Sequence, residues 1–150
     1  MSTTRTAPAT TFEGTTPILR VQKVAASIDY YIQKLGFDLK WQTPYFACVS
    51  RDRCSIFLSQ GDQGHPGGWV WVGVSDADAL LEEYRRTGAK IRHLPTNYSW
   101  AYEMQVEDPD GNILRLGSEP KEDMPEGEWL DMNGVRWINS SAQEPRRPNS

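Results

Sequence analysis

Residues 67–89, GGWVWVGVSDADALLEEYRRTGA, join a strand to a helix and give the key to the whole chain. Val70, Val72 and Val74 alternate with Trp69, Trp71 and Gly73, so one face of the strand is aliphatic and must pack on helices, while the other presents two indoles. The helix reads from about 76 to 87, with Leu80 and Tyr84 turned inward and Gly88 ending it. Strand patterns follow at 90–95 (KIRHLP), 102–107 (YEMQVE) and 113–117 (ILRLG), the last two joined by the turn EDPDGN at 107–112. The unit is one strand, one helix and three strands.

The same order precedes it. A strand at 17–22 (PILRVQ) leads to a helical stretch preceded by Ser27, with Val24, Ile28, Tyr31 and Leu35 as its apolar stripe and Gly36 closing it. Strand patterns at 37–42 (FDLKWQ), 45–50 (YFACVS) and 54–60 (CSIFLSQ) follow, then the loop GDQGHPGG at 61–68. Two βαβββ modules, about 15–66 and 67–120, make an α+β domain over 15–120. Residues 1–14 read as a flexible arm. In the extension 121–150, Trp129 and Trp137 around Asn133-Gly134 suggest a docked hairpin followed by a disordered end.

Composition narrows the function classes. The chain has 150 residues, enough for one domain, and its net charge of −4 argues against nucleic-acid binding, which needs a basic face. No apolar run has the length of a membrane span and no signal core opens the chain, so a cytoplasmic protein is expected. Cys48 and Cys54 flank a turn and could face each other across a hairpin, although two free buried thiols are the plainer reading in a reducing compartment. His65 and His93 read as lone surface histidines. Within the acidic group Glu103, Glu107, Asp108 and Asp110, the two aspartates serve the turn, which leaves Glu103 open as a ligand contact.

The phrases VQKVAASIDYYIQKLGF, WVWVGVSDADALLEEYRRTGA and DPDGNILRL, in that order, resemble the vicinal oxygen chelate superfamily of glyoxalases, extradiol dioxygenases and bleomycin-resistance proteins. The resemblance covers about 15–118 and implies paired modules whose curved sheets form clefts completed by dimerisation. Most enzymes of that group hold a divalent metal, and their ligand positions carry over to Thr16, Phe57 or Ser59, Trp69 and Arg115. An indole has no lone pair for a metal and a guanidinium repels one, so no metal, no cofactor and no catalytic residue is expected, except a metal entering as part of a metal-bound drug.

Within the superfamily TPILRV, LGFDLKW, YFACVSRD, WVWV and SWAYEMQVEDPDGN are similar to the bleomycin-resistance proteins. That resemblance implies drug-stacking rings at Trp41, Phe46, Trp69 and Trp100, with Glu103 and the net negative charge drawing in a cationic tail. It also implies a homodimer in which Pro17 stiffens a swapped N-terminal strand. Singly, each of the four rings is as well explained by core packing, to which Tyr30, Tyr31, Phe37 and Trp71 are assigned. The expected function is sequestration of a planar cationic antibiotic without catalysis. A superfamily enzyme with a displaced metal, a binder of another flat metabolite, and an accessory protein docking through the tryptophan tail are the alternatives.

Overall fold

A computed structural model describes residues 9–140 and 143–146; the first eight residues of the expected arm lie outside it. The first module comprises β1 (Ile18–Arg20), α1 (Val24–Gln33), β2 (Asp38–Gln42), β3 (Phe46–Arg51) and β4 (Cys54–Ser59). The second comprises β5 (Trp69–Gly73), α2 (Ala77–Thr87), β6 (Lys90–Asn97), β7 (Tyr102–Glu107) and β8 (Ile113–Ser118). Their sheets have equivalent orders, β1-β4-β3-β2 and β5-β8-β7-β6, each with its first strand parallel to its last and the other pairings antiparallel. The expected α+β fold with two βαβββ modules is therefore the observed one.

One face of each sheet is covered and the other open. Ala47, Val49, Ile56 and Leu58 from the first sheet and Met104, Val106, Leu114 and Leu116 from the second join one core with the helix residues Val24, Ile28, Tyr31, Leu80 and Tyr84. Val70, Val72 and Val74 pack against that core, as the alternation in β5 requires. Tyr84 donates to the Leu35 carbonyl at 2.8 Å and Thr87 to that of Lys34 at 2.6 Å, tying the helix of one module to the helix end of the other.

The DPDGN turn also joins the modules. Asp108 Oδ1 accepts the backbone N–H groups of Asp110 and Asn112, both at 2.9 Å, while its Oδ2 accepts the Tyr31 hydroxyl at 3.0 Å. Asn112 donates to the Arg20 carbonyl at 3.0 Å and accepts the Gly68 N–H at 2.8 Å. Local turn chemistry, legible in the sequence, thus serves a contact across 92 residues of chain.

Several expectations are corrected. Helix α1 starts at Val24, so Ser27 lies inside it, buried, with its hydroxyl donating to Asp110 Oδ2 at 3.3 Å. The reason is a cap from outside the helix: Val24 N–H donates at 2.8 Å to Gln60 Oε1, and Lys23 at the N-cap position makes no side-chain cap. Cys48 lies opposite Phe57 and Cys54 opposite Arg51, so the thiols do not face each other; Cys54 is only half-buried. Beyond the domain, β9 (Glu128–Leu130) and β10 (Arg136–Ser140) pair antiparallel with Trp129 opposite Trp137, and β11 (Gln143–Arg146) adds a third strand where a disordered end was expected. Residues 141–142 and 147–150 lie outside the described residues.

Candidate functional site

The open face of the first sheet is aromatic. Ile18, Phe57, Cys48 and Trp41 stand side by side across its four strands. The Trp41 and Phe46 rings stack, with centroids 5.9 Å apart and planes 11° apart, and Phe57 meets them at 5.5 and 5.4 Å. Trp41 is 44% exposed. No imidazole or carboxylate interrupts this set, so it offers rings and dispersion contacts to whatever lies on it.

The open face of the second sheet is mixed. Trp71, Arg115, Gln105 and His93 lie in register across β5, β8, β7 and β6, and Gly117, Glu103 and Thr96 form the neighbouring row. Arg115 grips Glu103 through Nε–Oε2 at 2.8 Å and Nη2–Oε1 at 3.0 Å. The Trp100 indole N–H also donates to Glu103 Oε1, and the Tyr98 ring stacks on Trp100 at 4.7 Å with planes 5° apart. Burial pushes the Tyr98 phenol up to about 12, so this stacked pair is neutral at physiological pH. The hydrogen bonds that Arg115 donates to Glu103, and the charge of that carboxylate, raise the guanidinium above its ordinary range.

Trp71 is not interior packing: it is 50% exposed and shares the open face with Trp69. Its ring lies over Gly117 and Gly73; a Cβ on Gly117 would come 2.9 Å from the ring and 3.1 Å from Ala101 Cβ. That bare backbone is the signal that could have placed Trp71 correctly, because two glycines aligned on adjacent strands leave a flat bed for a ring.

Tyr31 and Phe37 are buried core residues as assigned, and Tyr30 packs half-buried against them. Trp41 and Phe46 lie together on the first sheet, whereas Trp69 and Glu103 lie on the second and Trp100 in the loop between β6 and β7. Among the described residues no ring contact links the two sets. Glu103 is 2% exposed and committed to Arg115 and Trp100, so it presents no free charge for a cationic tail. Pro17 precedes β1, and its carbonyl accepts Phe57 N–H at 2.9 Å; β1 pairs with β4 in register Ile18–Phe57 to Arg20–Ser59.

His65 lies exposed in its loop, and His93 Nδ1 lies 2.8 Å from the Leu94 carbonyl. Among the described residues no three His, Cys, Asp or Glu side chains converge in a way that could hold a metal ion, and no helix is long and apolar enough to cross a membrane. Trp69 and the ion-paired Arg115, two of the positions to which the resemblance carries metal ligands, have no donor atom for a metal.

Sequence reasoning missed Arg92. From β6 its guanidinium reaches over the Trp69 ring, 5.2 Å from the centroid, although β6 and β5 are opposite edges of the sheet. Three strand spacings are about 14 Å in a flat sheet, so strong curvature and long side chains bring the two together.

Two open sheet faces bearing rings, on paired βαβββ modules, define the class. Residues 12–116 match the Glyoxalase/Bleomycin resistance protein/Dioxygenase superfamily, and the chain belongs to that family. The bleomycin-binding protein of bleomycin-producing Streptomyces verticillus, solved with copper(II)-bleomycin, is similar at 25% identity and a TM-score of 0.63, over 73% of this chain and 98% of that one. The bleomycin resistance determinant encoded on transposon Tn5 shares the fold at 18% identity and a TM-score of 0.63, over 72% and 98%. An antibiotic-binding protein from another Streptomyces shares it at 22% identity and a TM-score of 0.65, over 77% and 100%. No curated protein sequence matches.

Proposed function

We propose that this protein binds a bleomycin-family antibiotic, stacking its flat bithiazole on the open-face aromatics, and confers resistance by sequestration without catalysis. The observation that carries the reading is the pair of exposed aromatic faces, Trp41 with Phe46 on one sheet and Trp69, Trp71 and Trp100 on the other. Each well-stacked ring contributes about 1 kcal/mol beyond area burial, so two or three give a useful affinity without polar machinery. The similarity to the Streptomyces verticillus protein supports the choice of drug.

The ligand cleft lies between two copies of the chain, the first sheet of one facing the second sheet of the other. Such an arrangement covers both exposed faces and unites the two aromatic sets that one chain keeps apart. Exchange of the segment ahead of Pro17 belongs to the same proposal. Calorimetric titration with bleomycin, combined with sedimentation, tests it: saturable binding of one drug per cleft to a dimer, weakened in Trp69→Ala and Trp100→Ala, is expected. A tightly held divalent ion required for turnover of a substrate would sink the reading in favour of a superfamily enzyme.

A further inference from the structure

The C-terminal hairpin, which lies beyond the residues 12–116 shared with the family, fixes the side chain that caps Trp69. Arg92 Nη1 donates to Gln105 Oε1 and, at 3.4 Å, to the Leu130 carbonyl, while its Nη2 donates to the Asp131 carbonyl. Gln105 Nε2 reaches the same Leu130 carbonyl at 3.3 Å. The hairpin is itself anchored to the sheet edge: Asn97 donates to the carbonyls of Lys121 and Met124 at 2.9 and 2.8 Å, and the Tyr98 hydroxyl to that of Glu128 at 3.0 Å. Behind them Trp129 and Trp137 stack at 6.2 Å.

Every acceptor around Arg92 is neutral. Among the described residues no carboxylate forms an ion pair with it, in contrast to Arg115, which is neutralised by Glu103, and Lys90, which is paired with Glu107. These bonds use both Nη1 protons and one on Nη2, leaving Nε–H and one Nη2–H for a further acceptor. Arg92 also borders a groove of about 490 Å³ between β6 and the hairpin, where Arg136 is paired with Glu128 at 3.8 Å, which leaves Arg92 as the arginine there without a carboxylate partner among the described residues.

We propose that Arg92, held over Trp69 by the C-terminal hairpin, makes this end of the cleft select flat aromatic ligands that carry an anionic group at the ring edge. The inference rests on the flat-ligand reading above, not on the choice of bleomycin, and extends it to anionic flat ligands: the ring stacks on the Trp69 side of the cleft, its acidic edge meets the guanidinium, and any cationic end points away. A guanidinium fork matches a carboxylate or sulfonate in plane, and a cation that already lies on an indole face costs little further ordering to use.

Three probes with one ring system and different charge separate selection from simple packing: anthracene-2-carboxylate, anthracene-2-carboxamide and 2-(aminomethyl)anthracene, titrated into the full chain at low salt. The wild type is expected to bind the carboxylate about tenfold or more tighter than the amine, a difference of about 1.4 kcal/mol. Arg92→Gln should bring the two within about twofold while leaving the carboxamide nearly unchanged, and Arg92→Lys should retain the order. Equal weakening of all three probes in Arg92→Gln, or no preference in the wild type, overturns the inference and leaves the flat-ligand reading standing. Failure of the probes to bind a protein that binds bleomycin also overturns the inference alone. Failure of every flat compound, bleomycin included, overturns both.

Discussion

Glu103 on β7 and Arg115 on β8 form a two-pronged ion pair at 2.8 and 3.0 Å on the open face of the second sheet, with the glutamate side chain 3% exposed and the arginine 34%. The pair fixes Trp100 through the shared Oε1. Replacing Glu103 by Ala strands a half-buried cation and releases the indole. The expected cost is about 2 kcal/mol, below the range for fully buried pairs because water reaches Arg115. Urea denaturation checks it: Glu103→Ala should be much less stable, whereas the double change Glu103→Leu with Arg115→Leu should recover most of the loss. A single variant as stable as the wild type would show the pair to be incidental.

Gly117 sets the position of Trp71. A methyl group there would stand 2.9 Å from the ring, so Gly117→Ala must tilt the indole off its bed or shift Ala101. Tilting costs the flat platform while leaving the core residues Leu114 and Leu116 in place. The variant should lose bleomycin affinity by roughly fivefold, on the scale of one stacked ring, with a change in unfolding free energy under about 1.5 kcal/mol. Unchanged affinity would remove Trp71 from the cleft wall.

Much of the fold was legible because it rests on short-range pattern. The alternation of Val70, Val72 and Val74 with Trp69 and Trp71, the Asp76 side chain capping α2 through Ala79 N–H at 3.0 Å, and Gly88 in the left-handed region at φ +83° are all local. What escaped was set by distant residues. The start of α1 depends on Gln60, and the capping of Trp69 by Arg92 needs the curvature of a sheet and a hairpin nearly forty residues further on. Glu103 looked like a free acid because its partner lies on the next strand, in a register that no periodicity reveals. The separation of Trp41 and Phe46 from Trp69 and Trp100 onto two faces was likewise invisible in a pattern that reports only which side of a strand a ring takes.

Arg51 at the end of β3 links the modules by holding Glu83 of α2 at 2.7 and 2.8 Å while donating to the Leu35 carbonyl at 2.9 Å. The Arg51 hydrogen bond keeps the Glu83 carboxyl below its ordinary value of 4.5. A depressed carboxyl stabilises the fold above the unfolded-state pKa and loses that contribution as pH falls through the folded-state value. Because both side chains are roughly a third exposed, about 1 kcal/mol at neutral pH is expected. The stability difference between wild type and Glu83→Gln should therefore be full at pH 7 and shrink as pH drops below about 4.5, read from urea midpoints across that range. A difference that stayed constant to pH 3 would mean that the charge on Glu83 contributes nothing.

Trp41 and Trp69 provide a test of the shared cleft that does not depend on the identity of the drug's polar groups. They lie on different sheets, and no ring contact joins their sets among the described residues. If the first sheet of one copy faces the second sheet of the other, Trp41→Ala and Trp69→Ala homodimers each lack one ring in both clefts, and each should bind bleomycin about five- to tenfold more weakly. A mixed dimer of the two variants instead has one cleft lacking both rings and one with both intact. Co-refolding the two variants with different affinity tags and isolating the doubly tagged species should restore wild-type affinity at half the wild-type stoichiometry, read by calorimetry. Mixed dimers with two equally weakened sites would place both rings of each cleft on a single chain, and the inter-subunit cleft would have to be abandoned.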